Sequence, residues 1–172
     1  MSIADIPTNV NFLSPIGFRL TVKELPNVEF FCQSANIPGL SISEVIVPTP
    51  LNPTYQTGVQ VQYEELNVRV LADEYMKNWS EIHNWITGLG SPQNQEQYAN
   101  QLKKFIKTDI TMFVMTAGNT PSIKFDFLDC FPTSLSSLQF DIGGSGGEYL
   151  TFDIMFRYNS YKYETLINTN TK

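Results

Sequence analysis

A chain of 172 residues with 42% hydrophobic side chains can fill one ordinary core and is short for two. Eleven Lys plus Arg against 17 Asp plus Glu give a net charge of −6 with no basic run, which excludes nucleic-acid wrapping through clustered cations. No window reaches the ~18 apolar residues of a membrane span. The first residues lack the basic start and apolar run of a secretory leader, so synthesis in a reducing cytoplasm is the expectation.

In chain order, residues 1–17 carry no hydrophobic period and contain Pro7 and Pro15, which reads as an arm ordered against a partner. Phe18, Leu20 and Val22 then alternate with polar residues as in a half-buried strand. Leu25-Pro26-Asn27 reads as a turn and Val28, Phe30 and Cys32 as a second strand, so the two runs are expected to form a hairpin. A Pro38-Gly39 bend follows, then a short strand through Ile42, Val45 and Val47. Residues 48–58 hold Pro48, Pro50 and Pro53 without a period and read as a long projecting loop. In 60–72 the apolar parity changes at Glu64-Glu65, which predicts a bulge or break there.

A helix is predicted over 73–88. Tyr75, Trp79, Ile82, Ile86 and Leu89 recur at helical spacing, flanked by Met76 and Trp85, with Asp73 as cap and Gly88 as stop. Tyr75, Trp79, Ile82, Trp85 and Ile86 are the residues expected to pack it on a sheet. The polar stretch after it holds a short helical turn near Tyr98 to Phe105. Strands are then expected at 110–114, after a Gly118-Asn119 turn at 123–127, and at 138–142, with an interruption at Cys130-Phe131-Pro132-Thr133. A glycine-rich tip at 143–147 leads into the cleanest alternation of the chain, Leu150, Phe152, Ile154, Phe156 and Tyr158. The sum is α+β and mainly β: an antiparallel barrel or sandwich of about seven or eight strands with one flanking helix.

Catalytic chemistry is hard to assemble. His83, the only histidine, has neither a nucleophile nor an orienting carboxylate proposed for it, and an enzyme would have to use it. Cys32 and Cys130 have no close partner and read as buried thiols. Asp73-Glu74 and Glu64-Glu65 read as a helix start and a strand kink, and the glycine tip lacks the lysine of a phosphate loop. No catalytic, cofactor or metal residues are assigned. The projecting arm and loops fit either subunit contacts or ordinary variable loops.

The order of motifs resembles the tail tube proteins of contractile-tailed bacteriophages and the related tubes of contractile injection systems. The resemblance runs through 28–39 (VEFFCQSANIPG), Ile46-Val47-Pro48, 68–74 (VRVLADE), the helix with Trp85, 123–127, Phe131-Pro132-Thr133, 138–141 and 150–158. It implies a β domain at 18–163, between the 1–17 arm and a 164–172 extension. It further implies hexameric rings that form or cap the inner tail tube, or a baseplate hub or adaptor of the same fold. The loop residues Pro48, Leu51, Pro53, Tyr55 and Gly58 would then contact a neighbouring subunit. The implied partners are further copies, tube, sheath or baseplate proteins in the virion tail, with DNA passing an acidic wall without specific binding. The arm lacks the helical start of main tube proteins, and the extension runs past their usual end, so tube and adaptor roles both stand. The alternative is a barrel whose inward aromatic faces enclose a small apolar ligand beneath the helix, a reading that a core packed solid by Phe125, Phe140, Phe152 and Phe156 would exclude.

Overall fold

The computed structural model describes residues 12–90, 106–141 and 149–166. Most of the arm, the 98–105 turn, the glycine-rich tip and 167–172 lie outside the described residues. In chain order the elements are β1 (Phe18–Val22), α1 (Pro26–Phe30), β2 (Cys32–Ala35), β3 (Leu40–Val47), β4 (Thr54–Tyr63) and β5 (Leu66–Leu71). They continue with α2 (Lys77–Gly90), β6 (Thr108–Met115), β7 (Pro121–Leu135), β8 (Thr151–Arg157) and β9 (Ser160–Thr165).

Seven strands make one antiparallel sheet in the order β1-β6-β7-β8-β5-β2, with β9 added on β7. The hinge of this sheet is β7, 15 residues long. Its first half pairs with β6 and β9, and its second half with β8. At the changeover Asp129 takes φ 58°, held by the Asp109 carboxylate, which accepts from its N–H at 3.1 Å, and by Asn159, which donates to its Oδ2 at 2.6 Å. Two four-stranded arrays result, β1-β6-β7-β9 and β7-β8-β5-β2. They share one core of Leu20, Ile110, Met112 and Phe127 from the first and Val68, Val70, Phe152, Ile154 and Phe156 from the second. The predicted mainly-β class holds, with nine strands and two helices among the described residues.

The predicted hairpin between 18–22 and 28–32 does not form. Pro26 opens α1, where a missing N–H costs nothing, and Leu25 and Val28 both turn into the core at helical spacing. β1 therefore pairs with β6, and β2 with β5. The break at Glu64-Glu65 is where β4 ends and β5 begins.

The 73–88 helix begins at Lys77, four residues later than predicted. Asn78 is fully buried and occupies the junction: its Nδ2 donates to the Leu71 carbonyl at 2.7 Å, and its Oδ1 accepts from the Asp73 N–H at 3.3 Å. Asp73 thus caps nothing, and Met76 takes φ 52° to let the chain turn into the helix. The buried stripe is Asn78, Ile82, Trp85 and Gly88, with Trp79 and Ile86 packed at its margin. Tyr75 is 75% exposed ahead of the first turn and packs no sheet, and Leu89 is also exposed.

Two further expectations fail in the second half. The interruption at 130–133 is part of β7, because Pro132 sits in the half of β7 that borders β8 alone, where the sheet asks no N–H of it. The strand expected at 138–142 is absent over 138–141, and Phe140 is 73% exposed, so the alternation there reports no buried face.

Candidate functional site

The 48–58 segment divides between the connecting loop at the tip of a long β-ribbon, 48–53, and the start of β4, 54–58. Among the described residues β3 and β4 pair with each other and with no other strand. Pro48, Leu51 and Pro53 lie in the connection, where the Thr49 hydroxyl donates to the Asn52 carbonyl, while Tyr55 and Gly58 belong to β4. The prolines hid a strand that they only flank. The β-branched and aromatic run Thr54-Tyr55-Gln56-Thr57 was the available signal.

Register explains the ribbon's faces. In the inner half Leu40 faces Tyr63 and Ile42 faces Val61, which puts four apolar side chains on one face, with Ser41 and Gln62 on the other. The pairing becomes irregular between Ile42 and Glu44, where Gly58 is buried against the Ser43 backbone. Beyond it Ile46 pairs with Tyr55 on one face and Val45 with Gln56 on the other. Val45, Ile46, Leu51, Tyr55 and Val59 are all exposed, Leu51 at 93%. At the ribbon's foot the Gly39 carbonyl accepts from the Glu64 N–H at 3.1 Å, and the Glu64 carboxylate accepts from the Gly39 N–H at 3.1 Å.

Beside that foot lies an open groove of about 420 Å³ lined by Leu40, Tyr63, Ile123, Phe125, Tyr161 and Tyr163. An aromatic cluster forms its floor: the Tyr161 ring lies 5.8 Å from Tyr63, 6.1 Å from Phe125 and 6.1 Å from Tyr158. Burial pushes the Tyr158 hydroxyl up, helped by the neighbouring tyrosines. The row Leu20–Met112–Phe125–Tyr163 crosses the whole first array on this inner side. The outer side carries Arg19, Phe113, Lys124 and Glu164, then Thr21, Thr111, Asp126 and Lys162. Burial raises the Asp126 carboxyl, yet Lys124 at 2.7 Å and the Thr111 hydroxyl at 2.8 Å outweigh it and hold it below its ordinary value.

Reactive groups do not converge. His83 is on the exposed face of α2, its ring stacked 5.0 Å from Trp79. Among the described residues no three of His, Cys, Asp and Glu gather into a possible metal site. Burial pushes the Cys32 thiol up to about 11 and Cys130 to about 12, opposite to an activated nucleophile. Of the four phenylalanines whose solid packing would exclude an interior ligand, Phe152 and Phe156 fill the core, Phe125 packs against it and Phe140 is exposed. No helix among the described residues is long and apolar enough to cross a membrane.

The sequence model of the phage tail tube protein family matches residues 3–164. The chain belongs to that family. Like its relatives, this tail tube family member is a structural component of a tail. It is 25% identical over 136 residues to the tail tube terminator protein of Enterobacteria phage T4, covering 77% of this chain and 76% of that one. Its fold is similar to the tube-terminating cap of the anti-feeding prophage, with a TM-score of 0.64, 20% identity and coverage of 96% and 99% of the two chains. It is also similar to the sheath/tube terminator structure of an extracellular contractile injection system, PVC, at TM-score 0.63 and 18% identity, covering 91% and 99%.

Proposed function

We propose that this tail tube family protein is a tube-terminating subunit, six copies of which close into a ring that caps the inner tube of a contractile tail. The observation that carries the reading is the β3–β4 ribbon, 18 residues of strand that, among the described residues, pair only with each other. The T4 relative supports the terminal position in preference to the repeating tube subunit. Strand direction supports ring closure. β1, β6, β7 and β9 alternate in direction, so a head-to-tail neighbour sets its β1 against this β9 in antiparallel sense and covers both edges of that array.

The ring's partners are further copies of the chain and the tube and sheath proteins, reached through Pro48, Leu51, Pro53, Tyr55 and Gly58 of the ribbon. The working unit is 18–163, with 1–17 and 164–172 as contact extensions, although the extension begins as the last two residues of β9. DNA passes without specific binding, in keeping with the charge of −6. The role needs no catalysis.

The test is tube growth. Added in small proportion to a polymerising tube protein, the chain should stop elongation and shorten the tubes. A variant with 45–56 replaced by Asn-Gly, which joins the paired Glu44 and Thr57, should fold but not cap. Tubes of unchanged length with the intact chain would sink the reading.

A further inference from the structure

We infer that the aromatic groove at the foot of the ribbon receives Ile16 and Phe30 of a second copy of this chain. The inference rests on the ring reading above and names the surfaces that would meet. Ile16 and Phe30 are 86% and 81% exposed, and both border the end of the sandwich where β1 lies. Both are held firmly. The Gly17 carbonyl accepts from the Met115 N–H at 2.8 Å, which pins the segment before β1 to β6. Phe30 ends α1 with its ring edge-on to Phe31 at 5.0 Å. Two large apolar side chains held in water by a rigid frame mark a contact surface.

The groove is the counterpart. Its six lining residues are apolar or aromatic and carry no charge, and it is open on one side as an inserting side chain requires. It lies at the β9 end of the first array, while Ile16 and Phe30 lie at the β1 end. Three strand spacings separate the two ends, roughly 15 Å, so one copy cannot bring its own knob to its own groove. Two different patches at opposite ends of one array are the geometry of a heterologous contact, which closes into a ring when the rotation permits. Electrostatics raise no obstacle. Beside the knob Arg19 is paired with Glu29 at 3.5 Å, and the Lys124–Asp126 pair at 2.7 Å lies on the opposite face of the array from the groove. Docking therefore strands no buried charge.

The test places one cysteine on each surface of the full chain, Ile16→Cys and Tyr163→Cys. Cys32 lines the same hollow as Ile16, so both variants carry Cys32→Ser, and Cys130 is buried in the core away from either new thiol. The double variant should give a ladder of disulfide-linked multimers on a non-reducing gel, and an equal mixture of the single variants should give dimers alone. Each single variant by itself should remain monomeric on the gel. Ile16→Asp and Phe30→Asp, both at exposed positions, should keep the melting temperature and weaken ring formation by about tenfold or more each. Rings of normal mass without the 16–163 ladder would overturn this contact and leave the capping reading standing. Disulfide dimers of either single variant would overturn it in favour of a two-fold contact. An apolar dye that binds the groove equally in rings and monomers would overturn it in favour of a small-ligand site. A single-copy mass under all conditions would end both this inference and the ring reading.

Discussion

Gly58 and Ser43 meet backbone to backbone where the β3–β4 pairing becomes irregular, so close that a Cβ on Gly58 would lie 2.6 Å from the Ser43 carbonyl carbon. No side chain fits there without moving the opposing strand. Gly58→Ala should therefore disturb the outer ribbon, and Gly58→Val should do so more. Because the ribbon pairs only with itself, the core transition should stay within about 1 kcal/mol of the parent. Amide exchange should speed up over 44–47 and 54–57, and ring formation should fall. Unchanged exchange in Gly58→Val would show that the close approach constrains nothing.

Trp85 and Tyr75 should respond in opposite ways to the same change. Trp85 is buried with its ring 6.2 Å from Phe156, whereas Tyr75 stands in water. Trp85→Ala should cost about 3–5 kcal/mol, and Tyr75→Ala about 0.5 kcal/mol or less. Chemical denaturation with matched slopes measures both. Equal losses would place the helix in the wrong rotation.

Asn78 ties the start of α2 to the end of β5 through Leu71 and Asp73. Asn78→Ala leaves the buried Leu71 carbonyl and the Asp73 N–H without this partner, at about 1–3 kcal/mol for each group stranded. Asn78→Leu, which adds apolar volume, should not rescue it. Full stability in Asn78→Leu would mean that the site is a packing position and not a polar tie.

These same residues explain what could be read from the chain. Phe152, Ile154 and Phe156 line one buried face of β8, and Tyr158 just past its end is buried too, so their alternation maps directly onto the core. The rotation of α2 was missed because Asn78 points inward, and residue type alone assigns an asparagine to the wet side. Its bonds to the backbone make burial tolerable, and they are invisible in sequence. Residues 54–58 read as loop and not as strand because both faces of the ribbon meet solvent there, so its outer part carries no burial period. At Val28–Phe30 the spacing fits a strand or a helical turn equally, and Pro26 decided it. Interaction residues show least of all, since Ile16 and Phe30 are conspicuous only once the core around them is placed.

The two thiols should be slow at ordinary pH. Burial raises both, Cys32 to about 11 and Cys130 to about 12, so near pH 8 the reactive thiolate is a small fraction of either. Folded protein treated with an alkylating reagent at pH 8 should label far more slowly than denatured protein, with Cys130 the slower of the two. Rapid labelling of Cys130 in the folded state would contradict its place between the arrays.

The account stands on the chain completing itself with copies of itself. The most direct measurement is the mass of the purified protein in solution over a range of concentrations, alone and with preformed tubes. A discrete ring of six copies, each 19.5 kDa, bound at tube ends and lost when 45–56 is replaced, is the predicted result. A single-copy mass at every concentration, with tubes present or absent, would contradict it.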